Sequence, residues 1–463
     1  KRGNLVNHDV TDADVELAHL LEEINRENVD AIIGIFHMGD KNENNIPNTG
    51  VRDLIYHVPG AEKINAIFGG HMHQIIPKMM IKNTFFVQPG AFGQAVNRVD
   101  LVFDKSKETK LVSVDSQAIM IDDSIESDKE VEYIMQPYHD ELRDYANELI
   151  GYVQGPSLSP EDEISQVPQT RISQTDISDF FLEVMYYYSG ADVLATHLDN
   201  PYPYMPSGEI RRKHIHNSYS YAGGDICNYE ITGRDLKDYM EWSAGYLNQS
   251  RQGDITISFE PHRSSFKYST FDIFGHIKYD IDLKKPMGFR IVNLRRLDDT
   301  PIKDDDNLVI GLNKYRMDFL TSEEGPLYGR EFNLIWSSMT NLDIELRGEK
   351  VRGTIRNLAM KYISDLPGKL YVRKIAPRWK VLTHKIDPKL KETAIKLINE
   401  GILDLPKKED GKVDLTVSKN IYDSLSKEEY DKVIALDARL SAYISPEMSV
   451  IDVLQAYNEI NKI

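Results

Sequence analysis

The segment that most constrains this chain is Ile64-Asn65-Ala66-Ile67-Phe68-Gly69-Gly70-His71-Met72-His73. Its mostly apolar first half reads as a short buried strand, and the paired glycines let the backbone turn tightly without a Cβ. Two imidazoles at i and i+2 then leave the strand's C-terminal edge, where open α/β sheets build their sites. Neutral imidazoles this close suit a divalent transition metal. A second run, Asp30 to Phe36, has the same construction and ends in His37-Met38-Gly39-Asp40. Together the two segments predict an α/β protein with His37, His71 and His73 at one sheet edge, as metal ligands.

Composition bounds the rest. A chain of 463 residues, 41% hydrophobic and 28% charged, is long enough for two or three globular domains. No apolar run approaches the roughly 18 residues of a membrane span. The opening Lys1-Arg2-Gly3-Asn4 leads into no apolar segment, so no signal peptide is expected. The single cysteine, Cys227, excludes an intramolecular disulfide. A net charge of −18 argues against a nucleic-acid polymer or an anionic membrane as partner. An anionic substrate would need a local positive site, which bound metal ions supply. No Ser-His-Asp, P-loop or dinucleotide fingerprint is visible, and no repeat.

Taken in order, Val10 to Leu21 reads as a helix, with His8 before it as a surface residue. Asn83 to Gln88 and Ala95 to Asp104 read as strands, the latter pairing with Lys110 to Met120. From Ser127 to about Gly151 the spacing of Val131, Ile134, Met135, Tyr138, Leu142, Tyr145 and Leu149 is helical, with Pro137 expected to kink it. Gly155 to Pro160 reads as a linker. Thr175 caps a helix that ends at Gly190, and Ala191 to Thr196 is the strand after it. From about Thr383 the chain reads as a small helical appendage, with Leu390, Ala394, Leu397 and Ile398, then Tyr430, Val433, Ile434, Leu436 and Leu440, on helical faces. The expected divisions are 1–122, a linker over 123–165, a domain over 166–382, and the appendage over 383–463.

Several motifs carry a resemblance. Strand-His37-x-Gly39, then Gly69-Gly70-His71-x-His73, then Gln88-Pro89-Gly90-Ala91-Phe92-Gly93 resemble the later half of a calcineurin-like metallophosphoesterase domain. Gln174-Thr175, the helix and Gly190-Ala191-Asp192 resemble the opening of a 5′-nucleotidase C-terminal domain. The run Ile231-Thr232-Gly233 through Tyr239-Met240-Glu241-Trp242-Ser243-Ala244-Gly245 is similar to the 2′,3′-cyclic-nucleotide 2′-phosphodiesterase branch of that family, as are Phe271-Asp272-Ile273-Phe274-Gly275 and Asn313-Lys314-Tyr315-Arg316. The resemblance implies a partial metallophosphoesterase β-sandwich flanked by helices, a linker helix acting as a hinge, and an α/β nucleotide-binding domain. It implies hydrolysis of cyclic nucleotides or nucleoside monophosphates by two divalent ions (Mn, Zn, Fe or Ca) that activate water. It places His37, His71 and His73 on metal and sandwiches the base between Tyr221 and Tyr315. It also implies an extracytoplasmic location.

Departures from the family pattern shape the expectation further. The upstream motifs that supply the family's bridging carboxylate, asparagine ligand and catalytic histidine do not occur before His37; Asn7-His8-Asp9 only superficially matches one of them. The chain is therefore expected to be a fragment completed by an N-terminal segment, or an inactive descendant that binds ligand as a scaffold. A dinuclear hydrolase acting on a sulfur ester or sugar phosphate is a third option. After the Ala191–Thr196 strand, the expected Gly-Gly-x-Ile-Arg is replaced by His197-Leu198-Asp199-Asn200, and Arg211 reads as a surface residue. The loop Met317 to Gly325 carries three acids, Asp318, Glu323 and Glu324, where the family has glycines.

Overall fold

The computed structural model describes residues 11–41, 49–107, 110–265, 270–373, 376–409 and 411–461. His8 lies outside them. The fold is mixed α/β, and the chain divides into two compact units, Lys1–Gln136 and Pro137–Ile463.

The first unit is built on a four-stranded sheet in the order Ile33–Ile35, Ala66–Phe68, Thr84–Pro89, Ile75–Ile81. The first three strands run parallel and the fourth antiparallel. Helices Ala13–Ile24 and Val51–His57 cover one face, closing a core of Leu17, Leu21, Ile55, Ile67, Ile81 and Phe86. The first helix starts later than expected, after Asp12. The strand Ile33–Ile35 stands at the sheet edge, and among the described residues nothing pairs with its outer side. Its Ile35 side chain is 86% exposed. The hairpin Ala95–Phe103 with Leu111–Met120 forms as expected. It is fastened across the neighbouring strand where Asn97 Nδ2 donates to Ile76 O at 3.2 Å and Ser116 Oγ to Pro77 O at 3.0 Å.

The amphipathic helix is observed over Lys129–Asn147, running on through Pro137, and none of its side chains is buried. It ends sooner than its spacing suggests. Leu149, expected on the same helical stripe, instead opens strand Leu149–Gln154, which pairs with Leu370–Val372 and Gly208–Arg211. Backbone pairing wins over helical periodicity because Gly151 is pressed against the neighbouring chain: a Cβ there would sit 2.4 Å from Ile363 Cγ2. Gly155 to Pro160 is a packed turn rather than a free linker. Leu158 is buried, its N–H donates to Met205 O at 3.0 Å, and Ser157 Oγ donates to the same oxygen.

The second unit centres on a five-stranded mixed sheet, in the order Ile273–Gly275, Val193–Thr196, Asn307–Leu312, Cys227–Thr232, Leu334–Ser337. Only Val193–Thr196 and Asn307–Leu312 run parallel in it. Helix Asp176–Ser189 is capped by Thr175, with Gly190 in the left-handed region at its end. Helix Gly233–Ala244 is capped by Thr232. Both bury apolar faces against a core that includes Phe180, Leu194, Tyr239, Phe271 and Ile310. Arg211, read as a surface residue, is half-buried in its strand and donates to Asn147 O at 2.6 Å.

The C-terminal helices Pro388–Asn399, Lys427–Leu436 and Val450–Asn461 share a separate core of Leu397, Leu403, Val433, Leu440, Val453 and Leu454. Ile164, Val167 and Ile255 join it from earlier in the chain. Main-chain bonds from Ile255 N to Lys419 O and Phe259 N to Leu415 O, both 2.8 Å, tie the appendage to the loop after helix Gly233–Ala244.

Candidate functional site

In the first unit the parallel register sets Ile35 opposite Phe68, so His37 and the Gly69–His73 turn leave the sheet on the same edge. A Cβ on Gly69 would lie 2.3 Å from the Phe86 ring, and one on Gly70 3.1 Å from His37 Nδ1. The glycines therefore let this turn pass close to both side chains. His71 and His73 hold positive φ, 70° and 55°, which non-glycine residues adopt rarely. The structure brings His37 and His71 together, rings 5.4 Å apart and edge to face. His73 lies instead against Phe92, at 5.6 Å. Asp40 is engaged elsewhere, in a bidentate pair with Arg52 at 3.0 Å. Among the described residues no group of three or more His, Cys, Asp or Glu side chains is placed to hold a metal ion. The donor chemistry suits a transition metal, yet among the described residues the set is incomplete.

In the second unit the parallel pair ends at Thr196 and Leu312, and both following segments turn into one site. Asn313 caps helix Lys314–Leu320 by accepting from Arg316 N at 2.7 Å. That cap aims Arg316 inward, where its Nε lies 2.9 Å from Asp272 Oδ2 and its Nη2 reaches Thr270 Oγ1. The Asp272 carboxylate is fully buried and heavily engaged. Tyr239 OH and Thr270 Oγ1 each donate to it at 2.7 Å, and His197 Nδ1 stands 3.5 Å away. The other side of the His197 ring faces Asp199, with Nε2 3.1 Å from Oδ1. Burial opposes charge on Asp199, but His197, Ser220 and Arg171 outweigh it and hold the carboxyl below its usual range. Arg171 is almost fully buried beside it, which lowers its own pKa. Its Nη2 donates to Asp199 O at 3.3 Å.

Tyr221 and Tyr315 do come together at this mouth. Their ring centroids are 6.3 Å apart, tilted by 52°, and the side chains are 40% and 48% exposed. Arg356 fixes the Tyr221 loop by donating to Tyr219 O at 2.7 Å and to Ser220 O. Exposed aromatic faces of this kind are surfaces on which planar groups can stack. Sequence assigned Tyr221 and Tyr315 here; Arg171, His197, Asp199 and Asp272, which the structure groups close by, carried no assigned role. The signal present was that His197 and Asn313 each directly follow an apolar strand run.

Residues 151–319 match the family described as 5′-nucleotidase, C-terminal domain. The chain is 23% identical over 339 residues to a trifunctional nucleotide phosphoesterase protein of Bacillus subtilis, covering 64% of this chain and 23% of that one. It is 21% identical over 345 residues to the 2′,3′-cyclic-nucleotide 2′-phosphodiesterase/3′-nucleotidase of Haemophilus influenzae, covering 64% of this chain and 51% of that one. The chain thus spans about half the length, or less, of the curated relatives it matches. Its fold is that of a Staphylococcus aureus protein described as a 5′-nucleotidase, with a TM-score of 0.60 at 19% identity, covering 81% of this chain and 68% of that one.

Proposed function

We propose that this chain, which carries a 5′-nucleotidase C-terminal domain over residues 151–319, belongs to a hydrolase of nucleotide phosphate esters. The second unit holds the nucleoside between Tyr221 and Tyr315. The observation that carries this reading is the pair of exposed tyrosine rings anchored where two parallel strands end, a position at which α/β sheets seat ligands. The names of the relatives point the same way. The first unit supplies His37, His71 and His73 to a centre of two divalent ions, whose role would be to activate water and neutralise phosphate charge. Further ligands come from a polypeptide segment that pairs with the outer side of Ile33–Ile35, which nothing pairs with among the described residues; an unpaired apolar edge strand is an aggregation hazard. An extracytoplasmic location fits the family.

The test is calorimetric titration of the whole chain with adenosine 5′-monophosphate, alongside equilibrium dialysis against Mn²⁺ and Zn²⁺. Tyr221→Ala and Tyr315→Ala should each weaken nucleotide binding by about 5- to 100-fold, the worth of one stacked face. His37→Ala with His71→Ala should lower metal uptake and leave nucleotide affinity alone. Nucleotide binding that survives loss of both tyrosines would overturn the sandwich.

A second reading is favoured by one observation, the absence of a three-ligand group among the described residues. On that reading the chain by itself binds nucleotide without hydrolysing it. Binding without turnover at saturating metal would select it.

A further inference from the structure

We propose that the cavity between the start of helix Asp176–Ser189 and the helical appendage is a second ligand site. It takes a small molecule with an apolar body and a protonated amine, the amine seated on Asp179. The cavity holds about 600 Å³, the size of a small-molecule site. Neither Tyr221 nor Tyr315 lines it, so the proposal stands apart from the nucleotide reading.

The walls come from stretches far apart in sequence. Ile164, Val167, Ile255, Ile257, Ile386 and Trp379 line the apolar side. The first three belong to the appendage core and Trp379 to the large core of the second unit, so the cavity lies where the two cores meet. Hydrogen bonds fix the walls on both sides. Asn399 Oδ1 accepts from Ser165 N at 2.9 Å, and its Nδ2 donates to Glu163 O at 3.0 Å. Gln174 Oε1 accepts from Arg378 N at 2.7 Å, and its Nε2 donates to Ala376 O at 2.9 Å. A cavity held open in this way costs little to order when a ligand enters.

The polar wall decides the ligand. Four carboxylates line the cavity: Glu163, Asp176, Asp179 and Asp254. Three of them have a cation beside them. Glu163 pairs with Lys391 at 3.5 Å, Asp176 with Arg373 at 2.7 Å and Asp254 with Arg251 at 3.3 Å. Asp179 makes no ion pair among the described residues. It accepts from the Gln174 amide at 2.5 Å, and the attraction of Arg378 is opposed by Asp176 and Glu183. Burial pushes its carboxyl up to about 6, so at neutral pH it carries a charge that its surroundings compensate poorly. An ammonium brings both the positive charge and the donors that such a carboxylate lacks. An anion does not match. Arg373 and Lys391 are already paired, Lys380 is exposed, and Thr175 closes the helix N-terminus by accepting from Ser178 N at 3.4 Å.

The experiment titrates the whole chain calorimetrically with benzylamine, benzyl alcohol and benzoate, which share one apolar body and differ in charge. At pH 7.5 benzylamine should bind at least about tenfold tighter than either of the others, as expected for a hydrogen bond to a charged group. Asp179→Asn keeps the oxygen that accepts from Gln174 and should erase the preference, while Asp179→Glu should retain most of it. At pH 5 the preference of the parent should shrink by about tenfold, because a carboxyl near 6 is then mostly protonated. Equal binding of amine and alcohol, tighter binding of benzoate, a preference that survives Asp179→Asn, or no binding of any of the three would overturn the proposal. Each of those outcomes leaves the nucleotide reading standing.

Discussion

Asp179, at the start of helix Asp176–Ser189, shows how burial sets the chemistry of a single residue. Burial pushes its carboxyl up to about 6 from the usual 3.8, with the Gln174 amide at 2.5 Å only partly offsetting it. The sign follows from proton binding. The native state holds this proton more tightly than the unfolded chain, so the stability it contributes is complete below about pH 4 and is lost as pH rises through 6. The step is on the order of 2–3 kcal/mol for a shift of this size. Carboxyls such as Asp199 and Asp235, whose pKa is depressed, act in the opposite sense, so the useful quantity is a difference. Asp179→Asn keeps the oxygen that Gln174 donates to and removes the charge. Urea unfolding at pH 4, 6 and 8 should show the variant gaining on the parent as pH rises, and a constant difference would mean Asp179 does not titrate there. At this scale the sequence was legible only where a motif was contiguous. Tyr221 and Tyr315 could be named because each sits in a recognisable run. Arg171, Asp199 and Asp272 were not, because the contacts that group them exist only once distant segments meet.

Among the elements, strand Leu149–Gln154 bears the most weight at Gly151. An added methyl would meet Ile363 Cγ2 at 2.4 Å and Lys369 O at 2.5 Å, and the latter is backbone that cannot swing aside. Gly151→Ala should cost about 1–3 kcal/mol, the range for overpacking a tight site, and should lower the thermal midpoint accordingly. An unchanged midpoint would show that the strand can move away from its neighbours. The same strand explains where element reading failed. The three- and four-residue spacing that marks helix Lys129–Asn147 continues to Leu149, and nothing local records that Leu370–Val372 is waiting as a strand partner. Elements whose ends are written in their own side chains fared better. Thr175 and Gly190 bracket their helix by capping, and the Ala95–Phe103 hairpin follows from alternation alone. Helix Lys129–Asn147 is an intermediate case: its apolar stripe was plain, but none of it is buried, so amphipathicity identified the helix without identifying a cover.

For the molecule as a whole, the governing fact is that two units carry separate cores. The Lys1–Gln136 unit encloses its apolar residues on one sheet face and leaves Ile33 and Ile35 exposed on the other. The Pro137–Ile463 unit encloses a far larger core and gains the helical appendage, whose own core includes Ile164, Val167 and Ile255. Buried apolar area is the dominant source of stability, so the smaller unit should unfold first. The sequence divided the chain by motif, whereas the packing divides it at Pro137. The three tryptophans make the prediction easy to read, because Trp242, Trp336 and Trp379 all fall in the second unit. Tryptophan fluorescence should therefore follow only the later transition in urea, while far-ultraviolet circular dichroism follows both and begins to fall at lower denaturant. Non-coincident curves are the mark of more than one cooperative unit. Coincident curves would mean that the first unit draws its stability from the second, and that its bare edge strand is not the weak point the exposure of Ile35 makes it.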